Sequence, residues 1–148
     1  MSKLAGIPKV DVRNLQRKVP VNAAALQNFA SKALPLCLEL RKTRTTDLTK
    51  LREIFVLVVS DRRMASLHRQ FLNQEGPTDV ITFSHGEIFI SGETARRQAG
   101  QFGNSLTREL QLYIVHGLLH LHGFDDQNKI DAQRMKKVQE EILEQTQL

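Results

Sequence analysis

Cysteine is nearly missing from this chain. Cys37 is the only one in 148 residues, which excludes an intramolecular disulfide and any zinc site built on several thiolates. Tryptophan is absent and aromatic residues make up 5% of the sequence, so a base-stacking platform of the single-strand-binding type is not evident. The longest unbroken apolar run, Ile54 to Val59, is too short to span a bilayer. No apolar leader segment follows Met1-Ser2-Lys3, and with no disulfide framework the chain is expected to be cytoplasmic, without a membrane partner. No repeat, low-complexity tract or Pro/Gly/Ser-rich linker divides it. At this length a single domain over residues 1–148 is expected, with enough chain for one real core.

What is present is unevenly charged. The formal net charge of +5 averages two unlike halves. Residues 1–74 hold 14 Lys/Arg against 5 Asp/Glu, a balance of +9, and residues 75–148 hold 7 against 11, a balance of −4. Basic clusters such as Arg41, Lys42, Arg44, Lys50 and Arg52, or Arg62, Arg63 and Arg69, suit a polyanion, because each neutralised phosphate releases counterions. A solvated basic face accounts for the same count. Charge proposes nucleic acid without establishing it.

The patterning is that of an α+β domain. Residues 7–13 read as a strand. Residues 22–41 have helical spacing with Asn22 as cap, and Pro35 inside that span should kink or break the helix. Thr43 to Thr49 reads as a polar connector. Residues 53–59, β-branched and apolar on both faces, predict a central strand. A helix follows from Ser60 or Asp61 to Phe71 or Leu72. Short strands at 79–83 and 87–90 form a hairpin around Ser84-His85-Gly86. Helices at about 92–101, 105–122 and 128–146 complete the order, with Gly123 ending the middle one. The expectation is a small mixed sheet of about four strands with about five helices.

The chemistry concentrates in one segment, Val115-His116-Gly117-Leu118-Leu119-His120-Leu121-His122-Gly123-Phe124-Asp125-Asp126. On a helix His116 and His120 lie one above the other, so two imidazole nitrogens can converge on one ion. A left-handed Gly123 would reverse the chain and return residues 125–126 over the helix. Asp126 is the candidate third metal ligand, with a fourth position left for water. Asp125 competes with it, and either acid is also suited to cap the last helix. His122 falls off the His116/His120 face. Gly117 stands where zincin proteases carry the glutamate that activates water, and glycine cannot take a proton, so a peptidase is disfavoured.

These residues resemble the signature of the YbeY-type metal-dependent endoribonucleases, ribosomal-RNA maturation factors. His116 to Asp125 matches the pattern His-Gly-x-Leu-His-Leu-x-Gly-Tyr/Phe-Asp. Upstream, Pro77-Thr78-Asp79-Val80-Ile81-Thr82-Phe83 and Gly86-Glu87-Ile88-Phe89-Ile90-Ser91 resemble two further family segments, and the spacing between blocks agrees over residues 50–145. The resemblance implies a zincin-like α+β fold, one Zn²⁺ ion, and cleavage of single-stranded regions of ribosomal RNA. It further implies a place in small-subunit maturation, with the small ribosomal subunit and its assembly factors as partners.

Two departures qualify it. The family's third metal-binding histidine falls at Asp126, giving His116, His120 and Asp126 as the metal set. An anionic ligand lowers the charge on the zinc, which makes bound water less acidic. The family arginine associated with RNA cleavage falls at Leu72, which cannot bind phosphate; Arg69, one turn earlier, is the available substitute. No general base is assigned: His122, Asp125 and His85 are the candidates by proximity. Leu72 and Asp126 keep open a second reading, a ribosome-assembly factor that binds rRNA and holds a metal with little or no cleavage activity.

Overall fold

The computed structural model describes residues 6–148; Met1-Ser2-Lys3, read above for a leader segment, lies outside them. The chain runs β1 (Lys9–Asn14), α1 (Ala23–Glu39), α2 (Asp47–Lys50), β2 (Glu53–Val59), α3 (Asp61–Leu72), β3 (Val80–Thr82), β4 (Glu87–Ser91), α4 (Gly92–Phe102), α5 (Leu106–Leu121) and α6 (Lys129–Thr146). The four strands form one mixed sheet in the order β1-β2-β4-β3. β2 pairs in parallel with both β1 and β4, while β3 runs antiparallel to β4 at one end of the sheet. The apolar run 53–59 is therefore central, as its pattern requires.

Strand alternation sorts side chains between two layers. Ile54, Val56, Val58, Ile88 and Ile90 join the main core with Leu26, Phe29 and Leu34 of α1, Leu110, Ile114 and Leu118 of α5, and Met135, Ile142 and Leu143 of α6. Val59, Ile81 and Phe89 face the opposite way and pack with Met64 and Leu67 of α3. Helix α5 therefore rests directly on the sheet. The free edge of β1 is occupied by a side chain: Val12 N–H donates to Gln27 Oε1 (2.8 Å), and Gln27 Nε2 donates to the Val10 carbonyl (2.8 Å).

Two expectations change. Pro35 does not break α1, which is one helix from Ala23 to Glu39. Buried Ala33, Leu34 and Cys37 on either side hold it on the sheet and offset a local cost of roughly 3 kcal/mol. There are six helices among the described residues, not about five, because the polar connector contains α2. A reciprocal box starts it: Thr46 Oγ1 accepts from Thr49 N–H, and Thr49 Oγ1 bonds back to Thr46 N–H. Threonine at the third helical position does the work usually read from Glu or Gln.

Candidate metal centre

Nine of the sixteen residues of α5 are buried. Its half-exposed stripe includes Leu112, His116 and His120, four residues apart and so on one face. Gly117, beside that stripe, sits where a Cβ would lie 2.5 Å from Ile88 Cγ2. Only glycine lets α5 approach β4 this closely, and a glutamate at 117 has no room. The same glycine that removes a peptidase's base thus seats the helix carrying His116 and His120 on the sheet.

The helix ends in a reversal set by Gly123, whose φ of +86° is left-handed. Phe124 N–H bonds the Leu119 carbonyl (2.9 Å) and Gly123 N–H bonds the His120 carbonyl (3.0 Å), the two bonds of a Schellman motif. Arg41 holds this turn from outside: Nη1 donates to the Gly123 carbonyl at 2.9 Å, and the guanidinium lies 4.0 Å from the centre of the Phe124 ring. The reversal returns Asp126 over the helix, as the sequence requires of a third ligand. Neither acid caps α6; Asn128 does, accepting from Asp131 N–H. Asp125 instead accepts from Gln127 N–H.

His116, His120 and Asp126 converge, each offering one ligand atom within 4.8 Å of the others. The two Nε2 atoms are 3.1 Å apart, His116 Nε2 lies 3.5 Å from Asp126 Oδ2, and His120 Nε2 lies 3.6 Å from Asp126 Oδ1. A tetrahedral zinc with bonds of about 2.0–2.1 Å spaces its donors about 3.4 Å apart; the imidazole pair is near that spacing, and each ring has one of the two Asp126 oxygens near it as well. Both rings are anchored at the far nitrogen. His120 Nδ1 faces the Phe124 carbonyl at 3.1 Å and His116 Nδ1 faces Gln139 Oε1 at 2.7 Å. Oxygens of these kinds only accept, so each Nδ1 carries the hydrogen and each Nε2 presents a lone pair. Two lone pairs and a carboxylate meeting at one point suit a cation. Burial, then the neighbouring His116, hold the His120 imidazole below its ordinary pKa against the pull of Asp126, which favours the neutral ring a metal needs.

A cleft of about 540 Å³ opens beside this cluster, lined by His120, Gln127, Leu72, Ile81, Thr82 and Ser84 among others. Thr82 Oγ1 is buried without a hydrogen-bond partner among the described residues. Leu72 is half exposed there. Arg69 is exposed one turn earlier and does not line the cleft, nor does any other lysine or arginine. The cleft wall thus carries no fixed positive charge, and from the basic half it takes Asp47 and Leu72.

The candidate bases separate. His122 is fully buried: its Nε2 donates to the Leu40 carbonyl, and Thr46 Oγ1 donates to its Nδ1 at 2.9 Å. Both nitrogens are engaged away from the cluster, so His122 is a strut and not a base. His85 pairs with Glu87 at 2.9 Å and stacks on Phe83, lining a different hollow with Phe71 and Arg63. Asp125 alone of the three contributes its charge at His120. Sequence reasoning passed over Gln139 and Arg41. The signal for Gln139 was a polar residue one turn after Met135 and three before Ile142, on the face of α6 that should be apolar. The signal for Arg41 was not available, because its hydrogen-bond partner lies 82 positions away.

Residues 11–147 match the family model described as Endoribonuclease YbeY. Relatives named Endoribonuclease YbeY include one from Pelotomaculum thermopropionicum, 33% identical over 89% of this chain and 93% of its own length. One from Thermus thermophilus is 38% identical over 61% of this chain and 73% of its own length. Against the Frankia alni relative, at 34% identity, the chain spans 62% of that protein's length. A Thermotoga maritima protein solved in solution superposes with a TM-score of 0.58 at 27% identity, covering 91% of each chain. Matched across nearly its whole length, and carrying the histidine segment on a helix ended by Gly123, the chain belongs to the Endoribonuclease YbeY family.

Proposed function

We propose that this chain is a zinc-dependent endoribonuclease that cuts single-stranded regions of ribosomal RNA during small-subunit maturation. In this reading residues 1–148 form one zincin-like catalytic domain, cytoplasmic, meeting the small ribosomal subunit and its assembly factors. The convergence of His116, His120 and Asp126 beside an open cleft carries the proposal, and family membership supplies the substrate class. The three side chains would hold one Zn²⁺. A bound ion of this kind supplies Lewis-acid polarisation of a phosphate oxygen and a fixed point for a water or the RNA 2′-hydroxyl.

The remaining work falls to the chain itself. The Phe124 carbonyl and Gln139 hold the two imidazoles in one tautomer. Ser84 and Gln127 offer hydrogen bonds along the cleft, Asp47 places a carboxylate in its wall, and Asp125 is a second carboxylate whose charge reaches His120. Arginines outside the cleft wall, such as Arg62, Arg63 and Arg69, attract the RNA backbone at longer range.

Metal content and cleavage of a single-stranded RNA test this, with His116→Ala, His120→Ala and Asp126→Ala as comparisons. The proposal expects about one zinc per chain in the wild type, and cleavage lost in all three variants. Wild-type cleavage no greater than that of the histidine variants would refute a metal nuclease. Leu72 favours a second reading. It places an apolar side chain, half exposed, in the cleft wall, where the resemblance puts an arginine associated with cleavage. An assembly factor that binds rRNA and zinc with little turnover would leave RNA affinity intact while showing no cleavage.

A further inference from the structure

His116 is held from a second helix. Its Nδ1 lies 2.7 Å from Gln139 Oε1, and Gln139 belongs to the face of α6 that also carries buried Met135 and Ile142. Helical spacing assigns that position to an apolar residue. A half-buried amide there costs free energy unless it is hydrogen-bonded, and its partner is the one ring nitrogen of His116 that does not face Asp126. The next residue, Glu140, pairs with Arg108 of α5, so this stretch of α6 is tied to the helix that carries His116. The other ring is treated differently: His120 Nδ1 is met by a main-chain carbonyl, that of Phe124, which no side-chain replacement removes.

We propose that Gln139 is a positioning residue for the metal centre: by accepting from Nδ1–H it fixes the tautomer and rotation of His116, aiming Nε2 at the point shared with His120 and Asp126. The inference rests on reading that cluster as a metal site. A group accepting from the far nitrogen of a ligating histidine typically changes metal affinity about 10–100-fold. The orientation of His116 depends on one replaceable side chain, so it is the weaker of the two anchored rings.

Three variants isolate this. Gln139→Leu fits the apolar seam and removes the acceptor; Gln139→Ala removes it with less bulk; Gln139→Glu keeps an oxygen at the same place. Two readouts apply: Zn²⁺ affinity by competition with a chromogenic chelator, and the His116 tautomer in metal-free protein from ¹⁵N NMR of the ring. The Leu and Ala variants should bind zinc about 10–100-fold more weakly, with His116 a mixture of tautomers and thermal unfolding little changed in Gln139→Leu. Gln139→Glu should restore the Nδ1–H tautomer and bind at least as tightly as wild type. Wild-type affinity together with an unaltered His116 tautomer in Gln139→Leu and Gln139→Ala would overturn the inference while leaving the metal site standing. A wild-type protein that binds no zinc would overturn both.

Discussion

Replacing Gly117 by alanine tests how α5 is seated. In an exposed helix this change stabilises by about 1 kcal/mol, because glycine loses more backbone freedom on folding. Here the new methyl would lie 2.5 Å from Ile88 Cγ2 and 3.0 Å from Cδ1, and Ile88 is fully buried. Overpacking a tight core costs about 1–3 kcal/mol, and a contact this short belongs at the upper end. The clash wins: Gly117→Ala should destabilise by about 2 kcal/mol, lowering Tm by about 4–8 °C for a chain of this size. Ile88→Ala costs about 2–5 kcal/mol by itself, but it removes the atoms that collide. In that background Gly117→Ala should therefore change sign and stabilise by about 1 kcal/mol. Urea unfolding of the wild type, both single variants and the double variant measures the cycle. Equal destabilisation by Gly117→Ala in both backgrounds would refute the packing argument.

Three further outcomes are expected. Arg41→Ala removes the bond to the Gly123 carbonyl and the contact over Phe124, and should cost about 1–2 kcal/mol in urea unfolding; Arg41→Lys should recover little of it, lacking the planar fork. His122 is held below its ordinary pKa of 6.5 first by burial and then by the Arg41 charge, which outweigh the Leu40 carbonyl. With the folded value depressed, the unfolded chain binds the proton first, so this stability is complete above pH 6.5 and declines as pH falls toward the folded value. Urea midpoints measured between pH 7.5 and 5.5 should drop more in wild type than in His122→Gln, and equal drops would remove His122 as the cause. Leu72→Arg places a guanidinium in the cleft beside His120 and should raise single-strand RNA cleavage at least about 10-fold; an unchanged rate would detach that position from the chemistry.

The parts legible in sequence were those fixed by local chemistry. Asn22 and Gly123 marked helix ends because a cap and a left-handed turn need particular residue types. The run 53–59 was central because both its faces are apolar. His116, His120 and Asp126 came from one helical repeat plus one turn, all within eleven consecutive residues. What escaped depends on distant partners. Pro35 stays inside α1 because of packing on the sheet. His122 lost its place as a candidate base because Leu40 and Thr46 bond both its nitrogens, and no spacing within 116–126 shows that. Gly117 was read for the proton it cannot take, whereas its space is set by Ile88 on another strand.

The amide of Gln27 has a consequence for the company this protein keeps. By occupying both a donor and an acceptor along β1, it acts as a dummy strand and denies that border to any passing chain seeking a ladder partner. A β-strand from another molecule would have to add beside β3, whose residues line the cleft. Aggregation through the sheet and access of RNA to the histidines would then compete for the same ground, so a single-stranded RNA that fills the cleft should also slow self-association of concentrated protein.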